Sequence, residues 1–218
     1  MVKLLELLIF ILLLSPIQMV FSQTSAGGGI TTFHGSGTEV NRFGFNAFFE
    51  QPQSSVRTVY IRATLLFPQK YEFETTVEAV DLSVQPQKLP VRTVSKTSFF
   101  SVDGGNRVYF INDYDFGFAL YGGFNFKGIL SSFSNEILIP SNVNIDDYQT
   151  NTGPSQMSLL VGTGVNAGAK YQLPMRGAIT FDVVFELISR MYDPGSILGN
   201  EIAPLSLSFN LAYRFDWY

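Results

Sequence analysis

The residues of this chain that could do chemistry are few. Its single histidine, His34, lies in a Gly/Ser/Thr-rich stretch, TSAGGGITTFHGSGT. A serine nucleophile needs an adjacent base, and one histidine in a flexible segment supplies no such pair, so it reads as a solvated or strand-edge side chain. There are no cysteines, which excludes disulfides, thiol catalysis and Cys-ligated zinc. Asp113 and Asp115, and Asp146 with Asp147, fall in turn or loop positions without the spacing of a calcium loop. The glycines at 27–29 precede no helix, and the GxG of VGTGVNAGA sits inside a strand, where glycine relieves crowding. No catalytic residue, cofactor or metal site is expected. The remaining charges recur at alternate positions: Arg42, Glu50, Arg62, Glu72, Glu74, Glu78, Lys127, Lys170, Asp182, Glu186, Arg190, Arg214 and Asp216. On one face of a sheet they would form a mixed polar network, with the acids Glu72, Glu74 and Glu78 as the best candidates for an ion path or gate.

The elements that would hold these charges are strands. Charged residues make up 15% of the 218, against a typical value of about 25%, while aromatics reach 15%, with 21 Phe and 10 Tyr to one Trp. A net charge of −4 without a basic stripe argues against nucleic acid as a partner. The start, MVKLLELLIFILLLSPIQMVFSQ, has Lys3 ahead of an apolar block from Leu7 to Leu14, then Ser15-Pro16 and Val20-Phe21-Ser22. Residues 1–22 read as a secretory signal peptide cut between Ser22 and Gln23, because the apolar block is shorter than the roughly 20 residues that span a bilayer.

Beyond a flexible lead-in over 23–38, apolar and polar residues alternate with the strand period of two. The final stretch, LSLSFNLAYRFDWY, sets Leu205, Leu207, Phe209, Leu211, Tyr213, Phe215 and Trp217 against Ser206, Ser208, Asn210, Ala212, Arg214, Asp216 and Tyr218. The same alternation marks 41–50, with Phe48 as an exception, and 56–67, which ends at a Pro68-Gln69 break. It continues over 70–80, 116–130, 157–173 and 178–190. Residues 97–112 read as one long strand, although Asp103-Gly104-Gly105-Asn106 would also suit a hairpin turn or a bulge. This makes about eight strands. Loops are expected over 81–96 and 131–156, and connections counted back from the C-terminus alternate long and short, except that QPQSS is too short for its place.

Two architectures accommodate such strands. A soluble β-barrel turns the apolar face inward and could bind an apolar ligand, whereas a transmembrane barrel turns it outward to lipid. The polar face here is rich in Gly, Ser, Thr, Asn and Ala rather than Lys and Glu, as suits a narrow interior. Short turns alternate with longer loops. Aromatics gather near strand ends (Phe49, Phe67, Tyr71, Phe116, Tyr171, Tyr213, Phe215, Trp217), as interfacial girdles do. These features favour an all-β, antiparallel, up-and-down transmembrane barrel over residues 39–218, closed so that no backbone group is left unpaired in lipid.

From Asn41 to Tyr218 the pattern resembles the small outer-membrane β-barrel proteins of Gram-negative bacteria. The resemblance implies an outer-membrane location and a C-terminal strand, here Tyr213, Phe215, Trp217 and Tyr218, read by the barrel-assembly machinery. This chain departs in phase, since Trp217 holds the apolar parity and Tyr218 the last position. The expected partners are the lipid bilayer, the assembly machinery and envelope proteins contacting 81–96 and 131–156. The expected role is a non-enzymatic scaffold or subunit of an envelope complex; the alternatives are a small channel or transporter and a secreted soluble barrel.

Overall fold

The computed structural model describes residues 24–35, 41–81, 83–138, 143, 147–149, 156–174, 177–192 and 205–217, without the side chains of 156 and 190–192. The strands are β1 (Ser25–Gly35), β2 (Asn41–Ser54), β3 (Arg57–Ala79), β4 (Lys88–Ile111), β5 (Phe118–Leu138), β6 (Tyr148–Gln149), β7 (Gln156–Leu173), β8 (Gly177–Tyr192) and β9 (Leu205–Asp216). All pairings are antiparallel. Their order is β2-β1-β9-β8-β7-β5-β4-β3, and β2 also pairs with β3, so the sheet closes as a ring of eight strands; β6 adds a short rung to the end of β3. No helix among the described residues is long and apolar enough to cross a membrane. Strands do the spanning, and closure pairs the backbone groups that lipid cannot satisfy.

The ring has the expected number of strands but a different set. The stretch expected to be a flexible lead-in forms β1, which pairs with β2 from Ser25↔Glu50 to His34↔Asn41 and with β9 from Ser25↔Asp216 to Gly35↔Ser206. Its glycines hide the strand signal, because they remove the side chains that would show alternation. They are there to make room: a Cβ on Gly27 would collide with the Phe48 ring. That ring is the apolar exception on the polar face of β2, and it lies in the lumen at 4% exposure.

Pro68-Gln69 does not end a strand. It lies in a bulge where the β3–β4 register slips between Leu66 and Gln69, and β3 continues for 23 residues. An extra residue in one strand reverses which parity faces inward beyond it. With 25–35 counted as a strand and 57–79 as one, Gln51–Ser54 belongs to β2, and the connection to β3 is the two-residue turn Ser55–Val56, on the short-turn rim. The segments expected as loops are also shortened: 88–96 belongs to β4 and 131–138 to β5. Pro90 pairs with Thr76 of β3, and among the described residues the pairing of β4 with β5 begins at Arg92↔Leu138. The 97–112 segment is one strand, as expected.

About 9–11 residues suffice for a strand to cross a bilayer, whereas β4 has 24 and β5 has 21. The surplus of β3, β4 and β5 stands beyond the ring on the rim of the long connections. There β6 closes over its end, and Val77, Val91 and Tyr148 form a small separate core with Leu89, Ile137 and Val84. The outward side of the ring is apolar, with Phe45, Ile61, Leu65, Phe126, Phe181 and Leu211 all exposed. At the long-connection rim Phe67 stacks on Phe43 and meets Phe45 edge-on, at 5.9 and 5.3 Å between ring centroids. At the other rim Phe215 meets Trp217 at 6.0 Å.

Candidate functional site

The inward parity of the ring gathers the chain's buried charges. Among the described residues, the cations Arg42, Arg62, Arg107, Lys127, Lys170 and Arg214 and the anions Glu50, Asp103, Asp182, Glu186 and Asp216 are all at most 9% exposed. A charge withdrawn from water is tolerated only when paired and hydrogen-bonded, and the lumen is built to that requirement. Arg107 is its centre. Its guanidinium donates to Glu50 Oε2 at 2.7 Å and to Asp182 Oδ2 at 3.0 Å, and it lies 4.6 Å from the Tyr60 ring centroid and 4.8 Å from that of Tyr121. Asp182 also accepts from Tyr121 Oη at 2.6 Å, and Glu50 from Thr58 Oγ1 at 2.5 Å. Arg62 forks onto both carboxylate oxygens of Asp103, at 3.1 and 2.8 Å, the bidentate geometry that makes an arginine pair strong.

Toward the long-connection rim, Glu186 accepts from Lys127 Nζ and Asn125 Nδ2, both at 2.6 Å. Beyond it an apolar layer crosses the lumen, made of Phe33, Leu66, Phe99, Ile129, Leu160 and Ile188, contributed by β1, β3, β4, β5, β7 and β8. Arg42 caps this layer, with its guanidinium 4.0 Å above the Phe99 ring centroid and donating to Thr97 O at 2.8 Å. The space left between the layer and the ion pairs is about 20 Å³, which holds at most one water.

The short-turn mouth is closed by Tyr114, carried on the turn between β4 and β5. Asn112 opens that turn with φ 60°, a left-handed backbone that asparagine adopts more readily than most residues. Tyr114 is buried, shares a 2.6 Å hydrogen bond with Ser25 Oγ and stacks over Arg214 at 4.1 Å. Arg214 pairs with Asp216 at 2.8 Å, and Asp216 accepts from Ser25 Oγ and Gln172 Nε2 at 2.7 and 2.8 Å. Among the described residues the Lys170 ammonium has no hydrogen-bond partner; it lies 5.1 Å from the Tyr114 ring centroid.

Of the residues singled out in the sequence, Arg42, Arg62, Lys170, Asp182, Glu186, Arg214 and Asp216 therefore face the lumen. Glu72 and Glu74 do not. They lie beyond the Pro68 bulge, where the reversed parity turns them outward and exposes them. Glu72 meets Arg92 at 3.5 Å and Glu78 meets Lys88 at 3.4 Å on that exposed surface, so the acid cluster lines no path through the barrel. Tyr71 turns inward with the same reversal and leaves the expected girdle. The Arg190 side chain and Tyr218 lie outside the described residues, as does the signal segment 1–22. Tyr213 and Phe215 on β9, and Trp217 just after it, are exposed on the outward side. His34 sits near the long-connection rim of β1, with its ring nitrogens 2.6 Å from Asn41 Oδ1 and 3.2 Å from Thr32 Oγ1.

Asp103 and Arg107, two of the five central charges, escaped the sequence assignment because they flank Gly104-Gly105-Asn106. Carried straight through the glycines, the alternation of β4 sets Ser101, Asp103, Arg107 and Tyr109 against Phe100, Val102, Val108 and Phe110, and both charges fall on the inner side. The network also relies on a glycine of the partner strand. A Cβ on Gly168 would lie 2.6 Å from Tyr121 Oη, the hydroxyl that serves Asp182.

No protein-family model matches the chain, and no curated protein matches it. Solved structures do. Neisserial surface protein A matches with TM-score 0.53 and 11% identity, over 89% of this chain and 96% of that one. Ail of Yersinia pestis matches at 0.48 and 14%, over 89% and 98%, and OprG of Pseudomonas aeruginosa at 0.47 and 9%, over 90% and 96%. By fold, with its apolar belt outward and its ion pairs within, the chain is a small eight-stranded β-barrel similar to those of outer-membrane proteins.

Proposed function

We propose that this protein is a non-enzymatic scaffold of the outer membrane, whose working surface is the extended sheet of β3, β4 and β5 rather than the lumen. The observation that carries this reading is the filled interior. Paired charges from β2, β3, β4, β8 and β9, an apolar layer from six strands, and Tyr114 across one mouth leave a cavity of about 20 Å³. Eight strands enclose an interior just wide enough for side chains to fill. Short turns face the periplasm and longer connections the outside in barrels of this kind, which puts the extended sheet beyond the cell surface, where rigidly mounted segments carry binding. The surfaces offered to envelope partners are then the strand ends at 88–96 and 131–138 with their connecting segments. The outward row Tyr213, Phe215 and Trp217, followed by Tyr218, supports recognition of β9 by the assembly machinery.

Planar-bilayer recording of the purified protein tests this reading. No unitary conductance is expected. Reproducible single-channel steps from the unsubstituted protein, with a conductance that changes when Tyr114 or Arg107 is replaced, would establish a conducting lumen and overturn it.

A further inference from the structure

On the outward side of β3, β4 and β5 the apolar belt ends abruptly at the long-connection rim. Leu65, Phe100 and Leu130 pair across the three strands as one exposed apolar rung. Beyond it Ser98 pairs with Ser132, and then Lys70 with Lys96 and Lys96 with Ser134. The Pro68 bulge brings Lys70 to this side, because it reverses the parity of β3 while that of β4 runs on. Lys96 lies four residues along β4 from Phe100. At about 3.3 Å per residue on a strand tilted about 45°, this is a rise of about 9 Å. The headgroup layer extends about 5–8 Å beyond the hydrocarbon on each side, and Phe67 of the aromatic girdle intervenes, so both ammonium groups stand at headgroup height.

Directly opposed like charges destabilise a sheet, and the protein offers this pair no anion. Both lysines are exposed, and among the described residues neither makes an ion pair or a hydrogen bond. The nearest carboxylates on this side, Glu72 and Glu136, flank Val94 one same-side position farther from the belt. Glu72 is held by Arg92 at 3.5 Å, and farther out Lys88 meets Glu78 at 3.4 Å. The cations that stand clear of the membrane are therefore partnered within the protein, and the two at its surface are not. Side chains directly opposite across strands start about 4.5–5.5 Å apart, so two ammonium groups and the Ser134 hydroxyl can converge on one ligand bearing several anionic oxygens. A phosphate group has that chemistry, and at this height its source is the lipid itself.

We infer that Lys70, Lys96 and Ser134 bind the phosphate of a membrane lipid, in the leaflet on the long-connection side. The inference rests on the apolar belt and the strand register, and it holds whether or not the lumen conducts. The test uses the full mature barrel in phosphatidylcholine vesicles, with and without a one-fifth fraction of phosphatidic acid, and reads the midpoint of urea unfolding. Phosphatidic acid is expected to raise the midpoint of the unsubstituted protein. The double variant Lys70→Gln, Lys96→Gln should lose at least half of that rise. In pure phosphatidylcholine its midpoint should equal or exceed that of the unsubstituted protein, because the repulsion between the lysines is gone. Lys88→Gln, in the exposed pair with Glu78, should keep the whole rise. The inference is overturned by no rise in the unsubstituted protein, or by an equal rise in the double variant whatever its baseline. An equal loss in Lys88→Gln would overturn it too, since general surface charge would then be responsible. So would the same rise from inorganic phosphate added to pure phosphatidylcholine vesicles, since a free anion would then suffice.

Discussion

Replacing Arg107 removes the one group that joins the two central anions. Arg107→Met keeps an apolar stem among the Tyr60, Tyr121 and Phe48 rings but strips the guanidinium that Glu50 contacts at 2.7 Å and Asp182 at 3.0 Å. Neither anion can reach water, since both are buried. Glu50 retains Thr58 and a more distant Arg214 at 3.7 Å, and Asp182 retains Tyr121 and Arg62 at 3.5 Å. Breaking a buried pair by removing one partner costs about 3–5 kcal/mol, and the retained partners place the expected loss in the lower half of that range. At 1.4 kcal/mol per tenfold change, this is two to three decades in the unfolding equilibrium. Urea unfolding in phospholipid vesicles, followed by the fluorescence of the only tryptophan, Trp217, measures it without an added probe. The triple variant Arg107→Met, Glu50→Gln, Asp182→Asn should recover at least half of the loss, because it removes the stranded charges together with the cation. A loss in the single variant under about 1 kcal/mol, the scale of an exposed ion pair, would refute this account of the lumen, and so would a triple variant no more stable than the single one.

Three further outcomes follow from the same geometry. Gly168→Ala should destabilise by about 1–3 kcal/mol through overpacking against Tyr121, whereas Gly128→Ala, whose new Cβ would meet only Val102 O at 4.0 Å, should be near neutral in the same assay. Phe181→Arg, on the lipid-facing side of β8, should cost about 2–4 kcal/mol and lower the fraction inserted into vesicles; unchanged insertion would contradict an outward apolar belt. Deleting Tyr218 should reduce assembly in cells less than Phe215→Asp or Trp217→Asp, read as the heat-modifiable fraction in the membrane, and equal assembly of all three would show that the outward row is not what is recognised.

How much of this was legible in the sequence depended on where the period-two pattern ran unbroken. In β9, and in β8 as far as Ser189, side chains alternate without interruption, and the inward and outward assignments there could be made by counting. Counting failed at two features that leave no trace in hydropathy. The Pro68 bulge adds one residue to β3, so Glu72 and Glu74 were carried to the wrong face although their spacing was regular. In β1 the inward positions 27 and 29 are glycines, accommodating Phe48 and the β9 backbone, so a full strand looked like a linker. The two errors cancelled in the strand count. The apparent break at Pro68 supplied one strand too many and the missing β1 one too few, and the connection QPQSS, too short for its place, was the symptom of both. Asp103 and Arg107 were recoverable, since the glycines between them preserve the alternation.

The seam between β1 and β9 joins the two ends of the described chain: Ser25 pairs with Asp216, and Trp217 donates its backbone N–H to Thr24 O at 3.3 Å. Every other ring pairing joins strands at most one long connection or intervening strand apart, apart from the β1–β9 seam itself, so ring formation waits on the contact of greatest sequence separation. Contacts of that kind are slow to form because the loop-closure cost precedes their reward. Until the seam zips, β1 and β9 are two bare edges, and the rate at which they meet, rather than the rate at which any hairpin forms, should set the pace of folding into a bilayer. A glycine-rich β1 presents little side-chain bulk to a closing gap, which suits the strand that must slide into register last.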